Sequence, residues 1–272
     1  MGLQDVRLVG CDLPLHTEPS RYREVVERIK RDERSVGALI TAHKIDVFES
    51  CRDLIDEVDA DAELCGETSC LVRRGETLSA HATDLLSSAR AFDDFHARTP
   101  LEVLCLGAGG SSTAITVQLI RRRLATRITV VDRSAAQLAR IRAVHDKLDP
   151  YLEVRYVETE DSAANDRLLS ELPSGSLVVN ATGLGKDLPG SPLTDQVEFP
   201  EDGYAWDVNY RGQLQFLRQA RGQREFRRLH VEDGWRYFIH GWAVVMGWVF
   251  DIEMGPGQTA SLVAVSENEH PG

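Results

Sequence analysis

Apolar residues along the chain fall into two rhythms. From position 101 onward, short unbroken apolar runs recur at 103–106, 128–131, 152–157, 177–180 and 205–208. Such runs predict strands buried on both faces, the signature of a parallel sheet. Segments of helical period lie between most of them, which predicts βαβ alternation with right-handed crossovers. The first hundred residues read as a smaller α/β unit. Residues 6–10 predict a strand. Residues 19–32 predict a helix with Pro19 in its first turn and Tyr22, Val25, Val26 and Ile29 as its apolar stripe. A short buried strand is expected over 37–41. Ile45, Phe48, Ile55 and Val58 predict one amphipathic helix. Two strands, 69–73 and 77–83, flank the turn Arg74-Gly75-Glu76. A helix over 84–97 then leads to a boundary at Thr99-Pro100.

The expected architecture is therefore α/β, with three parts. Residues 1–98 form a small α/β substrate-binding domain. Residues 99–230 form a doubly wound parallel sheet of Rossmann type. Residues 231–272 carry a buried aromatic helix over 234–251, packing back on the first domain, and a frayed tail over 256–272.

Composition narrows the function. At 272 residues with 42% apolar content, the chain has an ordinary globular core. The net charge of −12 argues against a nucleic-acid partner. No apolar run approaches a membrane span, and no basic-then-apolar leader pattern opens the chain. The five cysteines, Cys11, Cys51, Cys65, Cys70 and Cys105, have no metal-ligand spacing and read as free thiols of a cytoplasmic protein. No metal is expected.

The chemistry concentrates where the first apolar run of the second unit ends. Gly107-Ala108-Gly109-Gly110-Ser111-Ser112 follows that run, a helical segment follows the glycines, and the next run ends on Asp132. Strand, glycine turn, helix, strand and acid is the order in which a dinucleotide fold presents a helix N-terminus to a pyrophosphate and a carboxylate to a ribose. The acid falls roughly 20 residues after the glycines, as that role requires. Arg133 beside it can stack on adenine or reach a 2′-phosphate.

Further segments extend this reading. Thr41-Ala42-His43-Lys44, Gly66-Glu67-Thr68-Ser69-Cys70-Leu71, Ala82-Thr83-Asp84, the glycine turn, Asn180-Ala181-Thr182-Gly183-Leu184-Gly185, Asp207-Val208-Asn209-Tyr210 and Asp233-Gly234 occur in this order. Together they resemble the shikimate dehydrogenase family, whose pattern runs Asn-Val-Thr-x-Pro-x-Lys, Gly-Ala-x-Asn-Thr, Asn-Thr-Asp and Gly-Ala-Gly-Gly, then an Asn-Ala-Thr loop and an Asp-x-x-Tyr segment. The resemblance implies an NAD(P)-dependent oxidoreductase that moves a hydride between a nicotinamide and a hydroxyl-bearing ring carbon. It implies Lys44 and Asp84 as the catalytic pair, and Thr41, Ser69, Tyr210 and His240 on the substrate. The glycine-turn residues, Asp132, Arg133, Asn180 and Thr182 would hold the cofactor. A lysine beside a carboxylate suits the proton transfer, since a buried lysine shifts its pKa readily. On local sequence alone Lys44 also reads as a surface lysine, Asp84 as a helix cap, Tyr210 as packing and His240 as a core histidine.

The departures from the pattern fall on substrate recognition. His16-Thr17-Glu18-Pro19 stands nearest to the family's Ser-x-Ser carboxylate clamp, and Glu18 opposes an acid. Leu39, Ser69 and Ala82 replace the pattern's three asparagines. The substrate is therefore expected to be a cyclic polyol or hydroxy acid other than shikimate. The cofactor is expected to be NAD, with NADP as the second candidate, because Asp132 repels a 2′-phosphate. A homodimer is the candidate assembly. The competing function is a dinucleotide-binding sensor that keeps the fold without turnover.

Overall fold

The computed structural model describes residues 6–14, 17–95, 101–148, 151–186 and 188–270. Two sheets organise them. The first has four strands, β1 (Gly37–Leu39), β2 (Glu57–Val58), β3 (Cys70–Arg74) and β4 (Thr77–His81), in the order β1-β3-β4-β2. β3 and β4 form the expected hairpin, with Arg74 opposite Thr77. Helices α1 (Pro19–Arg31), α2 (Lys44–Cys51), α3 (Ala60–Cys65) and α4 (Asp84–Phe95) belong to this half. Tyr22, Val26, Val47, Cys51, Ile55, Leu71 and Leu78 make its core.

The second sheet is six-stranded and parallel, in the order β10-β9-β8-β5-β6-β7. Its strands are β5 (Leu101–Leu106), β6 (Ala125–Asp132), β7 (Glu153–Glu158), β8 (Leu177–Asn180), β9 (Tyr204–Asp207) and β10 (His230–Glu232). Helices α5 (Gly110–Arg121), α6 (Ala135–Lys147), α7 (Ser162–Ser170) and α8 (Gln215–Arg227) connect them. Burial on both faces explains the unbroken apolar runs: Leu104, Cys105, Ile128, Val130, Val178 and Val179 have no exposed surface. Strand order reverses between β5 and β8. That crevice is where open α/β sheets bind ligands, and both the glycine turn and the Asn180 loop open into it.

Helix α9 (Trp235–Phe250) joins the halves by packing on α4 and on β3 of the first sheet. The Arg74 guanidinium donates to the carbonyls of Trp248 and Val249, in the last turn of α9. At the other end Trp206 of β9, fully buried, sets its ring edge-on to Tyr237 at 5.9 Å.

Four expectations need correction. Residues 6–14 form neither helix nor strand, and Val6, Leu8 and Val9 are exposed; among the described residues no strand pairs with them. The helix expected to continue through Ile55 and Val58 stops at Cys51. A 3₁₀ turn, Arg52–Leu54, follows, and Val58 enters β2 beside Ala80. The spacing between Phe48 and Ile55 fits two helical turns and fits the exit equally well. The tail expected to fray holds α10 (Pro256–Ser266), which packs on α9, and His270 pairs with Asp233 through Nε2 at 2.8 Å. The second sheet also runs past position 230, since β10 adds an edge strand. The boundary at Thr99-Pro100 lies outside the described residues.

Candidate active site

Two helix starts bring the central charges together. Lys44 is the first residue of α2 and Asp84 the first of α4. Their side chains form an ion pair and are mostly shielded, 16% and 9% exposed. A carboxylate at a helix N-terminus is favoured by the macrodipole, whereas an ammonium there is not, so Asp84 holds Lys44 against the local field. The Tyr237 hydroxyl, reaching over from α9, donates to Asp84 Oδ2 at 2.9 Å. Burial and the Asp84 carboxylate push the Tyr237 phenol well above its ordinary pKa, which keeps it a donor. Burial works to lower the Lys44 pKa, but the charges of Asp84 and Glu67 outweigh it and leave it raised. Lys44 therefore rests as the ammonium.

A second carboxylate faces the pair. α3 ends on Gly66 in the left-handed conformation, the chain turns, and Thr68 N–H donates to the Lys44 carbonyl at 3.1 Å. Glu67, between them, is 1% exposed, and neither carboxylate oxygen has a hydrogen-bond partner among the described residues. Burial pushes its carboxyl up to about 7, with Asp84 adding to the rise and Lys44 and Arg140 opposing it. Its side chain extends toward the other half of the molecule: a Cβ built on Gly110 would overlap Glu67 Oε2.

The glycine turn is shaped for a dinucleotide. Gly107 has φ +100°, and a Cβ there would lie 2.6 Å from the Ala181 carbonyl oxygen, so a side chain is excluded where β5 passes β8. A Cβ on Gly109 would meet nothing within 4 Å, whereas Glu67 lies against Gly110, the next residue. Asp132, at the end of β6, accepts from Ala108 N–H and Ser134 N–H at 2.8 Å each, which fixes its carboxylate beside the turn. Arg133 is exposed next to it. Across the crevice Thr182 Oγ1 donates to Asn180 Oδ1 at 2.7 Å, and Asn180 Nδ2 donates to buried Asp207 at 3.0 Å. These bonds shape the loop after β8. The turn and the fixed carboxylate fit a nicotinamide dinucleotide.

The other predicted residues fare differently. Thr41 is exposed one turn before Lys44. Ser69 is fully buried and committed to the protein: its Oγ accepts from Thr83 N–H at 2.8 Å and shares a proton with Thr83 Oγ1, so it sets the entry to α4 instead of facing a ligand. Tyr210 stacks on Phe238 with ring centroids 4.5 Å apart. His240 does not join the pair. Its Nε2 meets Asp94 at 2.8 Å, ten residues and roughly 15 Å along α4 from Asp84. Glu18 is exposed just before α1, and His16 lies outside the described residues. Two residues at the centre were missed. Glu67 stands where the family pattern has alanine, and that departure was its signal. Tyr237 was hidden in an aromatic stripe that reads as core.

No family model matches the chain. A shikimate dehydrogenase (NADP(+)) of Streptococcus sanguinis strain SK36 is 27% identical over 227 residues, covering 82% of this chain and 76% of that protein. One of Salinibacter ruber strain DSM 13855 is 29% identical over 223 residues, covering 80% and 74%. Among solved structures, a shikimate dehydrogenase in complex with NADP+ superposes with a TM-score of 0.72 at 18% identity, covering 94% of this chain and 84% of that one. A quinate dehydrogenase from Corynebacterium glutamicum in complex with NAD gives 0.71 at 19%, covering 89% and 82%. In sequence over about four fifths of its length, and in fold over nearly all of it, this chain is similar to the shikimate dehydrogenases.

Proposed function

We propose that this chain is an NAD(P)-dependent dehydrogenase of the shikimate dehydrogenase type, acting on a hydroxyl-bearing ring carbon of a cyclic polyol or hydroxy acid. The observation that carries the reading is the Lys44–Asp84–Tyr237 cluster, built from three helices beside the crevice that the glycine turn enters. When bound, the dinucleotide supplies or accepts the hydride. The protein's own part is the proton. In the reducing direction the Lys44 ammonium donates to the oxygen that gains charge as the carbonyl is reduced; in the oxidising direction the amine takes that proton back. Asp84 orients Lys44 and keeps it charged, and Tyr237 orients Asp84. Low solvent access strengthens each of these interactions.

The Asp132 carboxylate favours NAD over NADP, because it can accept from ribose hydroxyls and opposes a 2′-phosphate. The curated relatives are named for NADP(+), so this preference belongs to Asp132 of this chain. Screening cyclic polyols and hydroxy acids for absorbance change at 340 nm with NAD+ and NADP+ tests the reading. Turnover that disappears in Lys44→Ala supports it; turnover unaffected by that substitution refutes it.

A further inference from the structure

Glu67, whose charge helps to keep Lys44 protonated, takes no direct part in the proton transfer described above. Its position is fixed by backbone on both sides: Glu67 N–H donates to the Ala62 carbonyl of α3, and Thr68 N–H to the Lys44 carbonyl at the start of α2. Its carboxylate abuts Gly110, the first residue of α5. Both oxygens are buried and have no hydrogen-bond partner among the described residues. Burying a carboxylate without hydrogen bonds is costly, and such a group points to a ligand that satisfies it.

The place limits what that ligand can be. A dinucleotide held by the first turn of α5, with its ring reaching Lys44 and Asp84, has to pass Glu67, which borders both. The oxidised nicotinamide ring carries a positive charge and the reduced ring carries none. We propose that Glu67 is a cofactor-binding residue that selects the oxidised, cationic form of the nicotinamide over the reduced form. This rests on the dehydrogenase reading and deepens it: the site is biased toward holding the dinucleotide as a hydride acceptor.

The neighbours of Glu67 leave it as the group that changes charge near neutrality. Lys44 from α2 is held protonated, with its pKa raised. Burial pushes the Tyr237 phenol of α9 well up, and burial likewise raises the Cys65 thiol of α3. Asp84 of α4 and Arg140 of α6 contribute one negative and one positive charge. The Glu67 carboxyl, pushed up to about 7, is neutral below that pH and charged above it. The bias therefore switches on as pH rises through about 7.

Binding measurements test this without a substrate. Dissociation constants for NAD+ and NADH are measured by calorimetry between pH 5.5 and 8.5 on the wild-type chain and on Glu67→Gln. In the wild type the ratio of the NADH constant to the NAD+ constant should rise by about tenfold or more across that range, equivalent to about 1.4 kcal/mol. In Glu67→Gln it should stay flat at the low-pH value. A flat ratio in the wild type, or the same rise in Glu67→Gln, overturns the proposal and leaves the dehydrogenase reading standing. The wild-type profile decides even if the variant folds poorly. No binding of either dinucleotide by the wild type overturns both.

Discussion

Glu67→Gln should stabilise this protein, and by an amount that depends on pH. A carboxyl whose pKa stands at about 7 in the folded chain and near 4.5 in the unfolded one keeps its proton longer when folded. Below about pH 4.5 both states are protonated and the group contributes nothing. As pH rises from 4.5 to 7 the unfolded state releases its proton first, and stability falls. Above 7 the loss is complete, and at about 1.4 kcal/mol per pH unit it amounts to about 3 kcal/mol. Glutamine has the shape of the protonated acid and cannot ionise, so it removes this loss. Urea unfolding at pH 8 should show the variant more stable by about 2–3 kcal/mol, with most of the difference gone at pH 5. For a chain of this size that corresponds to a rise in Tm of roughly 4–12 °C. A variant no more stable than wild type at pH 8, or one whose advantage is the same at pH 5, would refute the claim that burial of the Glu67 carboxylate outweighs the charges that oppose it.

The reaction itself gives four further expectations. Lys44→Ala should slow the chemical step by roughly 10²–10⁴, while NADH affinity, read by fluorescence titration, barely changes. Tyr237→Phe removes one hydrogen bond to a charged carboxylate, worth about 1.5–3 kcal/mol, so kcat should fall by roughly 10–100-fold with cofactor Kd unchanged; unchanged kcat would mean that Tyr237 only packs. Titration of both cofactors should show NAD+ binding more tightly than NADP+, and Asp132→Asn should narrow the gap; tighter NADP+ binding by the wild type would contradict the reading of Asp132. Steady-state kinetics with shikimate should give a kcat/KM below about 10⁴ M⁻¹s⁻¹, because Glu18 stands where the clamp is expected and Glu67 adds negative charge beside Lys44.

The parallel sheet was legible because burial on both faces leaves unbroken apolar runs, which few other structures produce. The meeting of Lys44 and Asp84 as an ion pair was legible through its motif context, although taken singly they look like any residues at helix starts. What failed was local. Val6, Leu8 and Val9 have the composition of a strand, but a strand needs a partner, and none of the described strands pairs with them. Ser69 and His240 have the chemistry of ligand-binding residues, but their orientations are set by Thr83 and Asp94, which the sequence does not place beside them. Tyr237 looked like core because its hydroxyl's partner, Asp84, is 153 residues away in sequence. The tail became a helix through packing on α9, a contact with no local signal.

Isotope transfer tests the central claim most directly. NADH deuterated at both C4 positions is incubated with the protein and a panel of cyclic ketones, both neutral and carboxylated, and the products are weighed by mass spectrometry. The account predicts one deuterium on the carbinol carbon of at least one product, lost or strongly reduced in Lys44→Ala. Saturable NADH binding with no deuterium in any product would contradict it, and would leave a protein that binds the dinucleotide without turning it over.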